Sequence, residues 1–154
     1  MNKRVIIAEL LTKLESSLRT SERGRKSANT DAIEAEGRMQ TRYGSAKEES
    51  QLLEAAFAGR IAKVASEIET LRRIDPADGP SRVVRPCSLV TLKIAELSEN
   101  YFLLPTGGYE IVADGQSVTV VSFQSPIARL LMGKSKGDAL ILPTGEHATI
   151  YEIL

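Results

Sequence analysis

Ile7, Leu11, Leu14 and Leu18 recur at intervals of four, three and four residues, an apolar stripe that a helix gathers onto one side. Leu53, Phe57, Ile61, Val64, Ile68 and Leu71 follow the same rule, at intervals of four, four, three, four and three. Two such stripes with no long loop between them predict an antiparallel hairpin in which each covers the other. Setting Ile7 opposite Leu71, and Leu18 near Arg60, places the reversal near Met39, bracketed by Gly37 and Gly44. From Met39 to Leu71 the second helix would run roughly 48 Å at ~1.5 Å per residue, longer than a small domain is wide. Beyond Leu18 the first stripe changes to Ser21, Arg25, Ala28, Ala32 and Ala35, facing Ala46 and Ser50. Small side chains there predict a slim outer arm with little apolar burial to hold it.

The pattern changes after Asp75. Pro76, Asp78, Gly79 and Pro80 form a cluster of turn formers, and Pro76 cannot continue a helix, so residues 76–81 read as a linker. Short runs at 88–94, 101–104, 109–112, 117–123, 139–142 and 148–153 suit strands. Asp114 and Gly115 between two of them signal a two-residue hairpin. One helix is expected between strands, with Ser125 as its cap, Pro126 in its first position, Ile127, Leu130 and Leu131 on its inner side and Gly133 at its end. The expected architecture is α+β. Residues 1–75 form an antiparallel coiled-coil hairpin with its tip near 37–41, and residues 82–154 a small antiparallel β domain with one short helix.

Composition supports this division. The first seventy-five residues lack proline, whereas all six prolines and five of the seven aromatics follow. Lys+Arg and Asp+Glu both number 20, so no strongly basic balance argues for nonspecific nucleic-acid binding. A single cysteine, Cys87, excludes an intrachain disulfide and fits a reducing compartment. No run approaches the roughly 18 apolar residues of a membrane span, so a soluble, cytoplasmic protein is expected, with no membrane partner.

The run Ser125, Pro126, Ile127, Ala128, Arg129, Leu130, Leu131, Met132, Gly133, Lys134, Ser135, Lys136, Gly137, Asp138, followed by a β-rich tail, resembles the C-terminal signature of the bacterial Gre transcript cleavage factors. Upstream, Tyr43, Gly44, Ser45, Ala46, Lys47, Glu48 and Glu49, then Gly59, Arg60 and Ile61, are similar to the start of that family's second coiled-coil helix. The resemblance covers nearly the whole chain in architecture and about a quarter of it in motif identity. It implies a C-terminal domain of FK506-binding-protein-like (FKBP-like) fold and RNA polymerase as partner. The globular domain would dock at the secondary channel while the hairpin reaches inward to the active centre, in indirect contact with nascent RNA and DNA.

In that family a pair of carboxylates at the tip helps hold a second Mg²⁺ beside the polymerase's own. The motif is Gly-Asp-Leu-x-Glu-Asn, and here Glu36 occupies the aspartate position and Met39 the glutamate position. One carboxylate is kept and one lost, and Arg38 and Arg42 add positive charge near Glu34 and Glu36. A cation among two arginines and one glutamate gains little net attraction. The resemblance thus implies no cofactor of the protein's own and Glu36 as the one residue toward an Mg²⁺ shared with the polymerase, while the departure at Met39 counts against cleavage stimulation of the usual kind. The arginines could instead contact phosphate, making the protein a non-cleaving regulator that occupies the channel. For docking, the resemblance points to Gln124, Ser125 and Pro126, with Gln124 where relatives often carry an acidic or amide residue.

The remaining residues carry little chemistry. His147 has no second ligand at metal spacing, Cys87 reads as a small apolar residue, and Gly107 with Gly108 reads as a turn because no helix or Lys-Ser/Thr pair follows. Nothing supports an enzyme acting alone. Other readings are a regulator of nucleoside diphosphate kinase, against which the long arm speaks, a stand-alone prolyl isomerase and a structural adaptor that dimerises through its arm. The Gre reading expects a monomer.

Overall fold

The structure is a computed structural model. It describes residues 1–36, 44–77 and 79–154, without the side chains of 31, 32, 34–36 and 44–47. The expected tip near 37–41 lies outside the described residues. By contacts the chain forms two units, Leu11–Arg72, and Met1–Leu10 together with Arg73–Leu154.

Helices α1 (Lys3–Glu36) and α2 (Gly44–Arg72) supply the first unit. Their side chains meet in antiparallel order: Arg60 Nη2 donates to Ser17 Oγ at 3.5 Å, and Arg25 pairs with Glu54 at 3.4 Å. Arg72 closes the proximal end on Glu15 at 2.9 Å. The apolar stripe is real but uneven. Leu14, Val64, Ile68 and Leu71 are buried, Phe57 and Ile61 half-buried, and Leu53 exposed. Further along α1 the buried positions are Ser21 and Ala28, so small side chains let the helices approach where apolar volume runs out.

The second unit is a six-stranded sheet of β1 (Leu89–Ile94), β2 (Leu97–Leu104), β3 (Tyr109–Ala113), β4 (Gln116–Ser122), β5 (Ala139–Ile141) and β6 (His147–Ile153). Their order is β3-β4-β2-β1-β6-β5. Helix α3 (Pro126–Leu131) stands between β4 and β5 in the chain. All pairings are antiparallel except β2 with β4, which is parallel, so the sheet is mixed where the sequence suggested antiparallel pairing throughout. The cause is the placement of β3: the chain leaving β2 runs to the edge, and the β3–β4 hairpin then folds β4 back against β2. Asp114 and Gly115 make that hairpin's turn at φ 52 and 73, the left-handed pair that a tight two-residue connection requires.

β2 also begins earlier than expected. It pairs Leu97 with Ile94 across a turn of Ala95 and Glu96, in which Ala95 adopts φ 52. Neither residue is a turn former. On one face, Val90, Leu92, Leu103, Val121, Ile150 and Ile153 join Ala128 and Leu131 of α3 in a single core. Alternation along the strands puts Leu89, Phe102, Val118 and Val120 on the opposite face, also buried. In the same unit Ile6 and Leu10 of α1 are fully buried, Lys3 Nζ donates to Ala77 O at 2.7 Å and Arg4 pairs with Asp75 at 3.1 Å.

Candidate functional site

The corner entering α3 is built from the end of β4. Phe123 N–H donates to Leu104 O at 3.1 Å, and Ser125 N–H donates to Ser122 O at 3.0 Å, which reverses the chain. Ser125 then sits in extended backbone, φ −65 and ψ 149, and its Oγ accepts from Ala128 N–H at 3.2 Å. Pro126 occupies the first turn, where its missing N–H costs nothing, and Arg129 lies in the last turn, where a cation complements the helix dipole. The helix stops at Met132, and Gly133 follows at φ 78. Gln124 and Pro126 are therefore exposed on a fixed corner, while the Ser125 acceptor is spent on the cap.

Of the residues expected at the tip, Glu34 and Glu36 fall within the last turn of α1, with side chains that are not described. Arg38, Met39 and Arg42 lie outside the described residues.

A shallow groove of about 860 Å³ runs over polar strand positions, including Thr91, Asn100, Tyr101, Ser117, Glu152 and Met1. Its groups satisfy one another. Asn100, 8% exposed, accepts from Thr91 Oγ1 at 2.9 Å and donates to Ser117 O at 3.1 Å. Tyr101 O–H donates to Glu99 at 2.6 Å and Ser117 O–H to Glu110 at 2.5 Å. Burial first, then the hydrogen bond and charge of Glu99, push the Tyr101 phenol above its ordinary ionisation range. A wall of carboxylates and hydroxyls is unlike the aromatic-lined pocket that a prolyl isomerase would need.

Cys87 is half-buried in a turn ahead of β1, with φ 63. Burial pushes its thiol up, against an opposing pull from Lys3. Among the described residues no three or more His, Cys, Asp or Glu side chains gather to hold a metal, and no helix is long and apolar enough to cross a membrane.

No protein-family model matches the chain. Curated relatives do. It is 30% identical over 142 residues to transcription elongation factor GreA of Helicobacter hepaticus, spanning 90% of this chain and 82% of that one. It is 32% identical over 162 residues to the GreA of a Sulfurovum species, spanning 100% and 96%. The solved structure of GreA factor homolog 1 (Gfh1) from Thermus thermophilus aligns over 94% of both chains at 19% identity, with a TM-score of 0.40. The chain belongs to the GreA family of transcription elongation factors.

Proposed function

We propose that this elongation factor binds RNA polymerase as an accessory protein, docking through the corner at Gln124, Ser125 and Pro126 and sending the hairpin tip toward the active centre. The observation that supports the reading is similarity to GreA along the whole chain, at about a third identity. Arm helices of 34 and 29 residues favour it over a regulator of nucleoside diphosphate kinase, for which a much shorter coiled coil is expected.

At the tip the donor set does not fit a second Mg²⁺. Hard cations take oxygen ligands, and the two aligned positions offer one carboxylate, Glu36, and one thioether, Met39, beside Arg38 and Arg42. The protein acts by occupying the channel, with Arg38 and Arg42 toward phosphate. RNA cleavage in a stalled, backtracked elongation complex, measured alongside polymerase binding, tests this. Tight binding without accelerated cleavage is expected, with binding weakened by Gln124→Ala and Pro126→Ala and retained in Arg38→Ala. Cleavage lost on Glu36→Ala would overturn the channel-occupying reading, and absence of binding would overturn the whole assignment.

A further inference from the structure

The cations of the sheet unit are scattered in sequence and gathered by the backbone. Residues 82–85 run alongside 133–136: Val84 N–H donates to Lys134 O at 2.8 Å, Gly133 N–H to Val84 O at 2.9 Å, and Val83 bridges Ser135. Both segments are fastened to β6, by Ser81 N–H to Ile153 O at 2.9 Å and by Gly137 N–H to Ile150 O at 2.8 Å. Arg82, Arg85, Lys134 and Lys136, all exposed, thus share one fixed frame. The patch continues onto Tyr151, 52% exposed, with Lys93 Nζ at 4.9 Å and Lys136 Nζ at 5.6 Å from the ring centroid. Val83, 43% exposed, follows Arg82 and bridges Ser135, which stands between Lys134 and Lys136 in the chain.

Five of the six Lys and Arg residues that follow Asp75 fall in this patch. Among the described residues, the side chains of Arg82, Arg85 and Lys134 have no carboxylate partner. The carboxylates Glu99, Glu110 and Glu152 line the groove, which meets the patch at Tyr151. Asp138 is the one carboxylate among the described residues set into this frame, where it accepts from Ser135 N–H at 2.8 Å, so charge in this unit is unevenly distributed although its total is near neutral.

We infer that the patch is a docking surface for an acidic protein segment. Arginine and tyrosine around an exposed apolar side chain is the composition of a protein interface, and guanidinium forks match carboxylates two bonds at a time. A nucleic acid would be favoured by a broadly positive field, and the net charge of zero withholds one. The inference does not depend on the Gln124 corner or on the tip.

The test is fluorescence anisotropy of a labelled peptide alternating glutamate and leucine, titrated with the full chain at low and at physiological salt. Salt-sensitive binding is expected, weakened about tenfold or more by the double change Arg82→Glu with Lys134→Glu. Arg23→Glu with Lys63→Glu on the arm should leave it unchanged. If the first double variant loses its fold by circular dichroism, Arg85→Gln with Lys136→Gln replaces it, with a loss of about threefold expected. Peptide binding indifferent to these patch changes overturns the proposal, as does absence of binding. Tighter binding of a single-stranded oligonucleotide of equal charge assigns the patch to nucleic acid and overturns it. Self-association in sedimentation that the patch variant abolishes makes a second copy the occupant, with the same consequence.

Discussion

Phe57 of α2 lies so close to Gly24 of α1 that a Cβ added to the glycine would stand 2.8 Å from the ring's Cζ. The arm is held there by a ring seated on a bare stretch of backbone. Gly24→Ala sets two effects against each other, a helix-propensity gain of ~1 kcal/mol and displacement of the ring. In a Phe57→Ala background only the gain remains. A double-mutant cycle by urea unfolding should therefore show Gly24→Ala stabilising by about 1 kcal/mol in that background and not in the parent chain, a coupling of about 1 kcal/mol or more. Additivity would mean that the ring and the glycine do not meet.

At the α3 corner, Ser125→Ala leaves the Ala128 N–H without its side-chain acceptor and should cost about 1 kcal/mol of stability. Ser125→Asp keeps an acceptor and should restore most of it. Thermal unfolding reads both. An alanine variant as stable as the parent would show that the cap contributes nothing.

Cys87 sits in the third position of a turn closed by Ser88 N–H to Arg85 O at 3.0 Å, with Pro86 in the second position. Its φ of 63 suits glycine, so Cys87→Gly should stabilise the protein by about 1 kcal/mol, contrary to the usual cost of glycine. Because burial disfavours the thiolate, iodoacetamide should modify Cys87 more slowly in the folded chain than in the urea-unfolded chain at neutral pH. Its pH–rate profile should be displaced to the alkaline side. A faster folded-state reaction would refute this environment.

The raised phenol of Tyr101 ties stability to alkaline pH. The folded state holds this proton more tightly than the unfolded chain does, so its contribution is intact below the ordinary tyrosine value near ~10. It is lost as pH rises through the folded value. Urea midpoints of the wild type should therefore fall more steeply above about pH 10 than those of Tyr101→Phe. Parallel curves would separate Tyr101 from that loss.

Much of this was legible along the chain. The arm's stripes, the proline and glycine punctuation, the Asp114–Gly115 turn and the Ser125–Pro126 helix start all rest on interactions within a few residues, which periodicity and turn chemistry report directly. The early start of β2 was not legible: Leu97, Ser98 and Glu99 are all exposed, and Ala95 enters the left-handed region without being a turn former. What makes them strand is pairing with β1, which no local pattern encodes.

The sequence by itself determined the helical and the β-rich stretches, most of their element types and the family signature, because these are matters of residue order and spacing. Only the tertiary structure decided the parallel union of β2 with β4, the seat of Phe57 on Gly24, and the meeting of Arg82 and Arg85 with Lys134 and Lys136. Each of these joins residues far apart in the chain, and which partners meet is settled by burying both faces of one sheet and by pairing the backbone groups at its edges.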